Sequence, residues 1–132
     1  MTTVLALHSI LRWAIVAVAV IAAVKFFVGW RRGGEFGKMD RGLAAGFSGL
    51  MDLQVLLGFV YFFWNGFAGG GFPSYRIEHL VTMLIAAAVG HLPSRWKSLD
   101  NPTRFRRALY VVLGVLAIVF VGVGRLPGGW TR

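Results

Sequence analysis

The chain is divided into four long apolar runs separated by short segments rich in glycine and charge. A run of about 20 apolar residues is long enough to cross a bilayer as a helix. Inside hydrocarbon every backbone N–H and C=O must be satisfied within its own segment, so the runs are restricted to helices. Reading the boundaries from charge, Gly and Pro places the spans at about 4–28, 43–64, 76–92 and 108–123. The first is closed by "WRR" (Trp30 to Arg32), the second broken by "NGFAGGGFPSY" (Asn65 to Tyr75), and the third stopped by Pro93. The loop "SRWKSLDNPTRFRR" (Ser94 to Arg107) leads into the fourth.

Composition agrees with that reading. Of 132 residues, 57% are hydrophobic and 14% charged, where a soluble domain carries about 25% charged. The formal net charge of +9 invites a nucleic-acid reading, but its distribution does not support one. Lys25, Arg31, Arg32, Lys38 and Arg41 cluster at the first connection, and Arg95, Lys97, Arg104, Arg106 and Arg107 at the third. Cationic loops stay on the cytoplasmic side during insertion, and they also grip anionic headgroups. The charge therefore encodes topology, and no nucleic-acid partner is expected. Both basic connections share one side, which puts both termini and the 65–75 connection on the outer, periplasmic side of an inner (plasma) membrane.

The expected fold is all-α: one four-helix up-down transmembrane bundle over residues 1–132, with sequential helices as antiparallel neighbours and helices one and three diagonal. The N-terminus lacks the basic region of a secretory signal and its apolar run is too long for one, so helix one is expected to be retained. Cysteine is absent. That excludes disulfides, cysteine-ligated iron–sulfur clusters and covalent C-x-x-C-H haem attachment. There is no G-x-G-x-x-G, P-loop, H-E-x-x-H or Ser-His-Asp pattern. The chain reads as an electron-transfer or accessory subunit rather than a stand-alone enzyme.

Two stretches carry the chemistry. "LHSILRW" (Leu7 to Trp13) and "RIEHLVTM" (Arg76 to Met83) each place a histidine and an arginine near the outer end of a span. At about 1.5 Å rise per residue, His8 and His79 fall at similar depth. Two imidazoles at one level on opposed helices suit the axial positions of a haem iron. Arg12 shares the face of His8, and Arg76 lies one turn outside His79. Both can meet propionate carboxylates with a two-pronged donor geometry. Met83, one turn inward of His79, could touch a cofactor, although methionine at helical spacing is more often packing, as for Met39 and Met51.

Small residues (Ala19, Ala22, Gly46, Gly49, Ala86, Ala87, Gly90) permit close helix approach. Asp52, mid-span, offers a counter-charge for Arg12, with Glu78 or a propionate as alternatives. Gln54 is unassigned, and His91 reads as an interfacial residue. A cofactor-free structural subunit of a larger membrane complex remains an alternative. So does a quinone-binding subunit built on Arg12, Asp52 and His91, or one binding another pigment.

The same two motifs, with "QVLLG" (Gln54 to Gly58) on helix two, resemble small bacterial four-helix membrane proteins labelled cytochrome b-like. The resemblance covers the bundle in order and size and is specific at those motifs. It implies a b-type haem, His8 and His79 as ligands, and one-electron transfer near the outer face. Those relatives often carry a histidine two residues before the glutamine; this chain has Asp52 there, so the implied ligand set stops at two histidines.

Overall fold

The structure, a computed structural model, describes residues 2–127 and 129. It is a four-helix bundle: α1 (Thr2–Arg32), α2 (Lys38–Asn65), α3 (Ser74–Gly90) and α4 (Asn101–Gly124). All four helices are long and apolar enough to cross a membrane. The principal packing runs α1 on α2, α2 on α3, α3 on α4 and α4 on α1. α1 and α3 are therefore diagonal, as expected for antiparallel neighbours joined by short connections.

The helices outrun the apolar runs, because a helix needs satisfied backbone and not an apolar side chain at every position. α1 continues through Arg31 and Arg32 to a left-handed turn at Gly33 (φ +68°). α2 begins at Lys38, where Asp40 in the first turn accepts from the Gly37 N–H at 2.9 Å, satisfying one exposed donor of the helix start. α4 begins at Asn101, not near Ala108. Asp100 caps it, accepting from the Thr103 N–H at 3.4 Å and the Thr103 hydroxyl at 2.7 Å, and Pro102 sits in the first turn, where a missing N–H costs nothing.

The glycine-rich connection "NGFAGGG" does not end α2 abruptly. It adds a π-helical turn, Gly66–Gly70, in which Gly69 takes φ +116°, a conformation that side-chain-bearing residues avoid. α3 is the short member at 17 residues, against 31, 28 and 24 for the others. A 3-10 turn, Leu92–Arg95, follows it.

At the end of the bundle carrying the basic connections, Phe26, Phe36 and Phe105 form a closed aromatic cluster, with Phe36 and Phe105 centroids 5.1 Å apart. Two polar links fix that end. Lys25 pairs with the buried Asp40 at 2.8 Å, and the Phe36 N–H donates to Asn101 Oδ1 at 3.0 Å. Toward the middle the core is built from small and branched residues: Ala19 and Ala22 on α1, Ala86 and Ala87 on α3, Val112 and Val115 on α4. This is the close-approach packing that membrane helices use. Gly46 and Gly49 do not join it; both lie on the exposed face of α2.

Candidate functional site

At the opposite end, all four helices line one cavity of about 110 Å³. α1 contributes His8 and Arg12, α2 Met51, Gln54 and Gly58, α3 Arg76, His79 and Met83, and α4 Val119 and Val123. The five residues singled out from the sequence, His8, Arg12, Arg76, His79 and Met83, thus share one enclosure. Gln54 joins them.

Backbone geometry explains how the rings are held. On α2, Met51 and Gly58 are each three or four residues from both Gln54 and Val55, so the four form one stripe. Gly58 faces His8; a Cβ there would stand 3.5 Å from the imidazole Cε1, an ordinary contact, so a methyl fits beside the ring and only a larger side chain would crowd it. Gln54 donates its Nε2 to the His8 carbonyl at 2.7 Å. His79 lies 3.2 Å, through Nδ1, from the Gly122 carbonyl of α4. A carbonyl only accepts, so Nδ1 carries the proton and Nε2 keeps its lone pair. A Cβ at Gly122 would collide with the end of Met83, so glycine is what lets α4 approach His79 and Met83 this closely.

Arg76 is the notable charge. Its Nη1 donates to Asn65, its guanidinium lies 5.6 Å from the Tyr61 ring and 5.8 Å from the Tyr75 ring, and its buried Nε has no hydrogen bond. Among the described residues its surroundings are neutral or π-rich and supply no carboxylate. Arg12 stacks against Trp13 at 5.3 Å. The expected Arg12–Asp52 pair does not form. Asp52 instead meets His91 Nε2 at 2.9 Å, and Glu78 is taken by Arg125. The reason is helical phase: Asp52 is two residues from Gln54, about 200° around the helix, so it faces away from the cavity.

His91 is not merely interfacial. Its Nδ1 lies 3.0 Å from Ser48 Oγ while its Nε2 meets Asp52. The fold thus assembles a Ser–His–Asp chain that no linear motif announces. It is not a nucleophilic triad: Ser48 is buried in mid-helix, where the neighbouring N–H groups are committed to the helix ladder and offer no oxyanion hole. The spacing Ser48–Asp52 (i, i+4) was the legible half of this cluster.

Among the described residues no group of three or more His, Cys, Asp or Glu side chains could hold a bare metal ion. The cavity's polar lining comprises two imidazoles, two guanidiniums, the Gln54 amide and the hydroxyls of Ser9 and Tyr61. It suits a group that brings its own equatorial ligands and its own negative charge. As to known proteins, the chain matches no family model, no curated protein and no solved structure.

Proposed function

We propose that the cavity holds a b-type haem, with His8 and His79 as axial ligands, and that the protein carries single electrons within a membrane. The observation that carries this reading is the convergence of both histidines on one cavity, with His79 Nδ1 held by the Gly122 carbonyl. Metal-ligating histidines characteristically donate their other ring N–H to a carbonyl or carboxylate, which sets the tautomer and raises the basicity of the ligating nitrogen.

The rest of the lining fits the same group. Arg76 and Arg12 would hold the propionates, and Arg76 has a buried N–H and neutral surroundings that a carboxylate would complete. Met83, Val119 and Val123 supply an apolar wall. A haem would supply a one-electron couple; the chain's residues would orient it and set its charge environment. At about 110 Å³ the cavity is smaller than a macrocycle, so loading requires its walls to open.

By the positive-inside rule, the connections bearing Lys38, Arg41, Arg95 and Lys97 lie in the cytoplasm. The cavity then sits near the outer face and both termini are outside, consistent with an inner-membrane electron carrier.

The test is a visible spectrum of the purified protein from haem-replete cells. Sharp reduced-minus-oxidised Soret and alpha bands are expected, lost in His8→Ala and His79→Ala. In Gly58→Phe, where a ring replaces the space beside His8, they should be strongly reduced. A colourless preparation, or bands that survive both histidine substitutions, overturns the assignment.

A further inference from the structure

The Ser48–His91–Asp52 chain belongs to no part of the haem reading and lies on another face of the molecule. We propose that it is a binding site for the hydroxyl of a membrane-dissolved hydroquinone, reached sideways from the bilayer.

Position comes first. Arg76 and Asn65 are hydrogen-bonded and mark one level of the bundle. At about 1.5 Å rise per residue, Asp52 lies about 20 Å along α2 from Asn65, and His91 about 22 Å along α3 from Arg76. With the Asn65–Arg76 level taken as the outer edge of a hydrocarbon layer about 30 Å thick, the pair sits about 8–10 Å inside the far edge. α3 ends there because Pro93 closes it, whereas α2 runs on to Lys38. The cost of polar groups at that depth makes a functional role the default reading for them.

Exposure comes second. The side chains of His91 and Asp52 are 54% and 49% exposed, while Ser48 is 7% exposed. The exposed face therefore presents the carboxylate, backed by imidazole and then by a buried hydroxyl. His91 Nε2 lies 2.9 Å from both Asp52 oxygens. Each oxygen retains lone-pair capacity toward the lipid side. Gly49, one turn from Asp52 on the same exposed face, meets nothing within 4 Å where a Cβ would be, which leaves room for a ring edge.

Chemistry then selects the ligand. Whether His91 is neutral or protonated, its Nε2 donates to Asp52, so the group offered outward is an acceptor. Phospholipid phosphates are anionic and stay in the headgroup layer, which excludes them on both charge and depth. The acceptor calls for a lipid-soluble molecule with an O–H donor, and a hydroquinone meets that requirement where the oxidised quinone, with carbonyls only, does not. A phenolic O–H on a carboxylate is a charge-assisted hydrogen bond, roughly twice as strong as a neutral one.

The experiment uses the full chain in nanodiscs under anaerobic conditions, with quenching of tryptophan fluorescence by three probes: a decyl-benzohydroquinone, the matching quinone and the dimethyl ether of the hydroquinone. The hydroquinone should bind at least about 10-fold tighter than the other two, the difference one charge-assisted hydrogen bond makes. Asp52→Leu should remove that preference and His91→Gln should weaken it, while His8→Ala leaves it intact. Equal affinity for all three probes, or a preference that survives Asp52→Leu, overturns the proposal. Because Asp52→Leu could disturb assembly, a photoreactive hydroquinone on the unaltered protein provides the second readout. Adducts on α2 around Gly49 and on the α3 end around His91 support the site, and adducts on the cavity lining overturn it. Loss of the haem spectrum in His8→Ala with hydroquinone binding retained separates the two readings.

Discussion

Lys25 and Asp40 make an ion pair whose two halves are buried to very different extents, and that asymmetry fixes the order of three variants. Asp40 is 2% exposed as a residue, while the Lys25 side chain is 37% exposed. Lys25→Met leaves a buried carboxylate whose remaining contact is the Gly37 N–H. Removing one partner of a buried pair costs about 3–5 kcal/mol. Asp40→Asn keeps an acceptor for Gly37 and leaves an ammonium that can swing toward water at the membrane surface, as lysines do. Its cost should be about 1–2 kcal/mol, closer to that of a lost hydrogen bond to a charged group. The double variant has no orphaned charge and should be more stable than Lys25→Met alone by at least about 1 kcal/mol, a coupling of the size that contacting residues show. Reversible unfolding in mixed micelles, titrated with a denaturing detergent and followed by circular dichroism, measures all three. Costs that simply add in the double variant, or Asp40→Asn costing more than Lys25→Met, would show that burial of the carboxylate does not govern this end of the bundle.

Further outcomes follow from the packing and from the α4 cap. At Gly29 a methyl would run into the Phe105 ring, which Phe26 and Phe36 hold in place. Gly29→Ala should therefore lose about 1–3 kcal/mol to overpacking, against a helix-propensity gain of about 1 kcal/mol. Gly46, where nothing lies within 4 Å, should show the gain alone; the same unfolding assay compares them, and equal stabilities would contradict the contact. Asp100 has its pKa lowered from 3.8, first by the Thr103 hydroxyl hydrogen bond, opposed by desolvation. A lowered folded pKa means that the cap's contribution is complete above about pH 3.8 and fades as pH falls through the folded value. Hydrogen exchange of the first α4 amides should rise in that acid range, and Asp100→Ala should abolish the pH dependence.

What was legible in the chain divides along a physical line. Helix number, order and antiparallel neighbours are forced by apolar length and short connections, and the four helices and their packing order follow that reading. His8, Arg12, Arg76, His79 and Met83 all line one cavity, but polarity alone did not mark the inward face, since Asp52, Glu78 and His91 in the same spans are exposed. Small residues report phase poorly, because lipid-facing and core-facing positions are equally apolar. Gly46 and Gly49 illustrate this, looking like packing glycines yet facing outward. Asp52 misled differently. Charge complementarity suggested Arg12, but its helical phase relative to Gln54 turned it toward His91, a contact set by where α3 stops and by nothing local to either residue. The early start of α4 was signalled by "DNPT", whose capping chemistry was masked by the charge of the surrounding loop.

Gln54 allows the cavity to be tested without touching a histidine. Its Nε2 donates to the His8 carbonyl, but its Oε1 is buried with no hydrogen-bond partner. A buried unsatisfied acceptor costs about 1–3 kcal/mol. The His8 carbonyl loses little if Gln54 goes, since it lies within α1 and can accept from the Arg12 N–H of its own helix ladder. Judged on stability alone, Gln54→Leu should thus be neutral or stabilising by up to about 1 kcal/mol, the pattern expected when a half-satisfied polar group is replaced by an apolar one of similar size. If the cavity holds a polar-edged cofactor, the same substitution should weaken its retention or shift its spectrum. The two readouts therefore move in opposite directions: unfolding resistance rises or holds while cofactor occupancy falls. A Gln54→Leu protein that is destabilised by more than about 2 kcal/mol, beyond the usual range of a single lost hydrogen bond, would instead make Gln54 a structural tie between α1 and α2.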